Sequence, residues 1–75
     1  MLVVKDPKRL EAFGFTKTED GDYIKQTKDF NEEIQVDSEG LIFLLSDDDV
    51  VSDNALDTIF DLIDANLVVR VPDDV

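Results

Sequence analysis

The chain has no cysteine, no histidine and no tryptophan among its 75 residues, and only three glycines and two prolines. Without cysteine there is no disulfide staple and no thiolate metal site. Without histidine, the commonest zinc ligand and the usual general base near neutral pH are both missing. Long apolar runs are missing too. Leu41–Leu45 is the longest, far short of the ~20 residues that span a bilayer. Leu2-Val3-Val4 is too short for the apolar segment of a secretory leader. A soluble, cytoplasmic protein without membrane association is expected. The glycines stand alone at 14, 21 and 40, so no glycine-rich phosphate loop is present.

Basic residues are scarce and unevenly placed. Lys and Arg total 7 against 19 Asp and Glu, a net charge of −12. Nearly all the basic side chains lie before residue 29, and Arg70 alone follows. Such a field repels nucleic acid and anionic membranes and attracts basic partners. An acidic surface also serves solubility by itself.

What remains reads as one α+β domain over residues 1–75, without repeats or linkers. Leu2–Val4 fits an edge strand. Asp6-Pro7 opens a short helix that Gly14 closes, with Leu10 and Phe13 toward a core. Asp20-Gly21 between Phe15–Glu19 and Asp22–Gln26 signals a hairpin. A two-residue loop there pairs Glu19 with Asp22, Thr18 with Tyr23 and Lys17 with Ile24. That register places Ile24 on the face of Phe15 and Tyr23 on the opposite face. After the polar stretch 27–33, Ile34 and Val36 alternate with polar residues, and Ser38-Glu39-Gly40 turns the chain into Leu41–Leu45. A run apolar at every position reads as a central strand covered on both faces.

Ser52 or Asp53 caps a long helix over Asn54–Ala65, with Asn66 as C-cap and Leu67–Val71 as closing strand. Ala55, Leu56, Ile59, Phe60, Leu62 and Ile63 share an arc expected to face the core. The fold expected is therefore a small antiparallel sheet of about four to five strands, two hairpins plus a C-terminal strand. One long amphipathic helix packs on one face, and a short helix precedes it.

Candidate chemistry is thin. No nucleophile has a base beside it, and paired carboxylates need a desolvated pocket that a domain of this size seldom encloses. No enzyme, cofactor or dedicated metal site is expected. Asp47-Asp48-Asp49 fails the EF-hand pattern, because Ser52 and Thr58 stand at its sixth and twelfth positions.

The candidate interaction face is Asp53, Asp57, Asp61 and Asp64, spaced four, four and three along the helix. Like charges at this spacing destabilise an isolated helix, and Asp61 and Asp64 lie toward its negative end. No Lys or Arg between Lys28 and Arg70 compensates. A local rule broken repeatedly on one face points to use of that face. Two uses follow: docking of a basic protein partner, or imitation of a phosphate backbone to inhibit a nucleic-acid-binding protein. Direct nucleic-acid binding is not expected, and either a monomer or a homodimer is compatible with so small a core.

Lys5–Phe15 with Tyr23-Ile24-Lys25, and Ala55–Ile63 leading into Leu67-Val68, resemble small uncharacterised proteins of bacterial and prophage genomes. The resemblance implies a phage context and no particular activity. Asp61–Val69 is also similar to the helix-then-strand of winged-helix domains, whose basic recognition surface is missing here.

Overall fold

The computed structural model describes residues 1–27, 32–46 and 51–72. Strands β1 (Leu2–Val4), β2 (Thr16–Lys17), β3 (Tyr23–Gln26), β4 (Glu32–Val36), β5 (Ile42–Ser46) and β6 (Val68–Arg70) accompany one α-helix, α1 (Asp53–Asp64). A 3₁₀ helix, Pro7–Phe13, links β1 to β2. The small α+β class with antiparallel pairing and one main helix is as expected. The strands form two sheets: a four-stranded one in the order β2-β3-β4-β5, and a β1–β6 ribbon. The two are stitched at the Val3–Leu41 bridge and by the Val4 amide donating to the Gly40 carbonyl at 2.9 Å.

The 3₁₀ helix ends as expected at Gly14, whose φ of 91° is left-handed. Its start differs: Asp6 makes no side-chain cap, and its carbonyl accepts from the Arg9 amide instead. Leu10 is fully buried beneath it.

The first hairpin is one residue out of the expected register. Lys17 pairs with Tyr23 and Thr16 with Ile24. The Thr18 amide donates to the Asp22 carbonyl, the Gly21 amide to the Thr18 carbonyl, and Gly21 takes φ 89°. This is a three-residue loop with a left-handed glycine rather than a two-residue one. A one-residue slip exchanges the faces of every side chain on the strand. Tyr23, not Ile24, therefore joins Phe15 in the core.

The second hairpin turns where expected. The Asp37 carboxylate accepts from the Glu39 and Leu41 amides, and Gly40 takes φ 90°. Ile34 and Val36 on β4 are fully buried, as their alternation implied.

The strand expected at the centre, Leu41–Leu45, is instead β5 at the edge of its sheet. Its register with β4 sets Ile42 and Leu44 on the face of Val36 and Ile34, toward α1, and Phe43 and Leu45 on the other. No described element covers that other face, so both remain 47% exposed.

Helix α1 is capped by Ser52, which accepts from the Ala55 amide at 3.2 Å. It ends in a Schellman pattern: the Leu67 amide reaches the Leu62 carbonyl, the Asn66 amide reaches Ile63, and Asn66 takes φ 60°. This turn drops Leu67 into the core beside Val4, Leu62 and Ala55.

Candidate binding surface

Helix α1 lies over β4 with two unlike flanks, and their difference follows from which of its residues are buried. The core-facing stripe is Ala55, Thr58 and Leu62. The expected apolar arc is therefore only partly used. Leu56, Ile63 and Phe60 are 41%, 43% and 59% exposed. At ~100° per residue, the apolar arc is centred roughly a quarter turn from the buried stripe. Small Ala55 and Thr58 let the helix sit close to the sheet. The Thr58 hydroxyl costs little there, because it donates to the Asn54 carbonyl at 3.2 Å.

The flank toward β5 carries Ile59, which lines an apolar groove of about 420 Å³ with Leu2, Ile42 and Leu44. The flank toward β3 is polar. Asp57 and Asp61 line a second groove, about 180 Å³, with Asn54, Lys25 and Thr27.

All four carboxylates of the expected face, Asp53, Asp57, Asp61 and Asp64, are exposed on α1. Asp57 and Asp61 are brought together along one groove, while Asp53 and Asp64 mark the two ends of the helix. Asp53 sits in the first turn, where the helix dipole favours a negative charge. The sequence contains no cation near this row. The fold brings one from β3, since Lys25 lines the same groove. Its ammonium is engaged elsewhere, donating to the Phe13 carbonyl at 2.9 Å and lying 5.9 Å from the Phe15 ring centroid.

A residue that sequence reasoning missed anchors the helix. Glu32 is 4% exposed. Its carboxylate accepts from the Ser52 amide at 3.0 Å, from the Ser52 hydroxyl, and from the Thr27 hydroxyl at 2.8 Å. The hydrogen bond from the Ser52 hydroxyl holds its carboxyl below the usual range. The Ser52 amide adds to that and Thr27 to a lesser degree, against the opposing effect of burial. From the sequence, 27–33 reads only as a polar stretch between two strands. Nothing local in Thr27, Glu32 or Ser52 reveals that they meet.

Asp47–Asp49, Lys28 and Val75 lie outside the described residues. Among the described residues, no three carboxylates gather as a metal site, and no helix is long and apolar enough to cross a membrane. No protein-family model, curated protein or solved structure matches the chain. The resemblance to small prophage proteins therefore carries no argument below.

Proposed function

We propose that the protein is a non-enzymatic binding module that docks a basic protein partner on the acidic flank of α1, through Asp53, Asp57, Asp61 and Asp64. The observation that carries this reading is the groove between α1 and β3. Asp57 and Asp61 open into it together with the neutral polar groups of Asn54 and Thr27, and the one cation there, Lys25, directs its ammonium to the Phe13 carbonyl. A carboxylate pair beside neutral acceptors suits a partner's Lys or Arg side chain, which would gain charge-assisted hydrogen bonds. The core-facing stripe of the helix holds the row in place, so binding would need little ordering of the chain.

Imitation of a nucleic acid is the second reading, favoured by the row of carboxylates spaced about 6, 6 and 4.5 Å along the axis. Twelve residues make a helix only about 18 Å long. That spans few phosphates, so the protein partner is the better fit. Competition separates the two. A partner displaced from this protein by duplex DNA, with a steep salt dependence, supports imitation. A partner indifferent to DNA, but released when Asp57 and Asp61 become Asn, supports docking.

A further inference from the structure

We infer that the solvent face of α1 is a helix-packing seam, which docks an amphipathic helix of the partner carrying Lys or Arg along one edge. The inference rests on the docking of a basic partner proposed above and names the shape of that partner. Leu56, Phe60 and Ile63 are 41%, 59% and 43% exposed. They are spaced four and three, the interval at which apolar residues of one helix form a seam against another. The buried stripe of Ala55, Thr58 and Leu62 already holds α1 on the sheet. On a helical projection Phe60 lies nearly opposite that stripe, so the seam looks outward.

Phe60 is the middle of the seam and the place where it meets the acidic row. Neighbours on a helix surface are the residues three and four away. For Phe60 these are Leu56 and Ile63 on one side, and Asp57 and Asp64 on the other. Asp57 follows Leu56 and Asp64 follows Ile63, the flanking positions at which charges set the choice of partner helix. Both are exposed. The helix has no Lys or Arg between Asp53 and Asp64, so one edge of the seam is wholly negative.

Charge selects the occupant. A second copy would bring its own acidic edge and another −12 to the same seam, and like charges flanking a seam oppose pairing. A lipid surface is a poor match, because helices that lie on membranes carry Lys and Arg beside their apolar side. A small apolar molecule needs a concavity, and the outer ridge of a helix is convex. A partner helix with apolar side chains at the same spacing, and Lys or Arg on the facing edge, meets both the ridge and the carboxylates. Its basic side chains also reach the groove that Asp57 and Asp61 line.

The seam is short. Twelve residues of helix extend about 18 Å, which places the contact at the small end of interface sizes, among transient encounters. Phe60 is the most exposed large apolar side chain among the described residues. As a central aromatic anchor it should carry most of the apolar part of binding. The apolar ridge and the charged edge can therefore fail separately.

The test uses a pair of synthetic two-heptad helical peptides with the same Lys residues, one with Leu along its seam and the other with Gln there. Titration calorimetry on the native chain should give about tenfold tighter binding for the Leu peptide. Phe60→Ala and Phe60→Gln should each erase that preference. Both should melt close to native, because Phe60 stands outside the core cluster. D57N/D61N/D64N should weaken both peptides alike and keep the preference. Equal affinity of the native chain for the two peptides, or a preference intact in the folded Phe60 variants, overturns the seam and leaves the docking of a basic partner standing. Unchanged affinity of D57N/D61N/D64N for both peptides would instead strike the docking reading, and the charged edge of the seam with it.

Discussion

Ser52 is gripped from both sides of the chain: its hydroxyl accepts from the Ala55 amide while its own amide donates to the Glu32 carboxylate at 3.0 Å. The start of α1 is thereby fastened to β4, twenty residues away in sequence. Removing the cap should be felt twice. Ser52→Ala loses an N-cap worth about 1 kcal/mol and leaves the Glu32 carboxylate with fewer donors. In a domain of this size the melting temperature should fall by about 4–8 °C for each kcal/mol lost. A thermal melt within a degree of native would show that the cap is not structural.

Glu32 makes a pH-dependent version of the same prediction. Its folded-state pKa lies below the ordinary glutamate value of 4.5, chiefly because the Ser52 hydroxyl donates to the charged form. The stability it contributes is therefore complete above about pH 4.5 and lost as pH falls through the depressed folded value. Glu32→Gln should be less stable than native at pH 7, with the gap narrowing below pH 4.5. Paired denaturant titrations read that gap directly. A gap constant down to strong acid would assign the role of Glu32 to its shape rather than its charge.

Gly40 marks a place where two sheets touch. A Cβ there would stand 2.4 Å from the Val4 carbonyl oxygen, at a φ of +90°. Gly40→Ala should cost roughly 2–4 kcal/mol, from strain and displaced backbone together. A core this small supplies only about 3–5 kcal/mol, so much of the stability should go. Gly21 has a similar φ but open space around it, and Gly21→Ala should cost only about 1 kcal/mol. Equal losses in chemical denaturation would remove the close approach of β1 as the cause.

These elements show what could be read from the chain. The turns at Asp20-Gly21 and Ser38–Gly40 and the Ser52 and Asn66 caps are local chemistry, and each stands where the residues put it. The hairpin register was not readable. Asp-Gly suits a two-residue loop and also the last two residues of a three-residue one, and Tyr23 and Ile24 are both acceptable partners for Phe15. The position of β5 was misread for a different reason. A run apolar at every position reports that both faces of a strand favour cover, and it does not say whether the cover comes from the same chain. Of the candidate face, the four carboxylates were legible from helical spacing. The groove they border was not, because Lys25 and Thr27 reach it only through the pairing of β3 with β4.

The acidic flank should also register in stability. Asp53, Asp57, Asp61 and Asp64 repel their neighbours at about 0.2–0.5 kcal/mol per pair in an exposed helix. Asp57→Asn and Asp61→Asn should each raise the melting temperature slightly at low ionic strength. Salt should raise that of the native chain and shrink the difference. A native melting temperature insensitive to salt would remove self-repulsion as a cost.

A residue that costs stability and is replaced without harm to the fold is suited to a role in binding, and that is the central claim for this helix. Its most direct test is affinity capture from source-cell lysate with two baits, the native chain and D57N/D61N/D64N. The account predicts a basic protein held by the native chain, released by moderate salt and absent from the acidic-row variant. A partner held equally by D57N/D61N/D64N would contradict it.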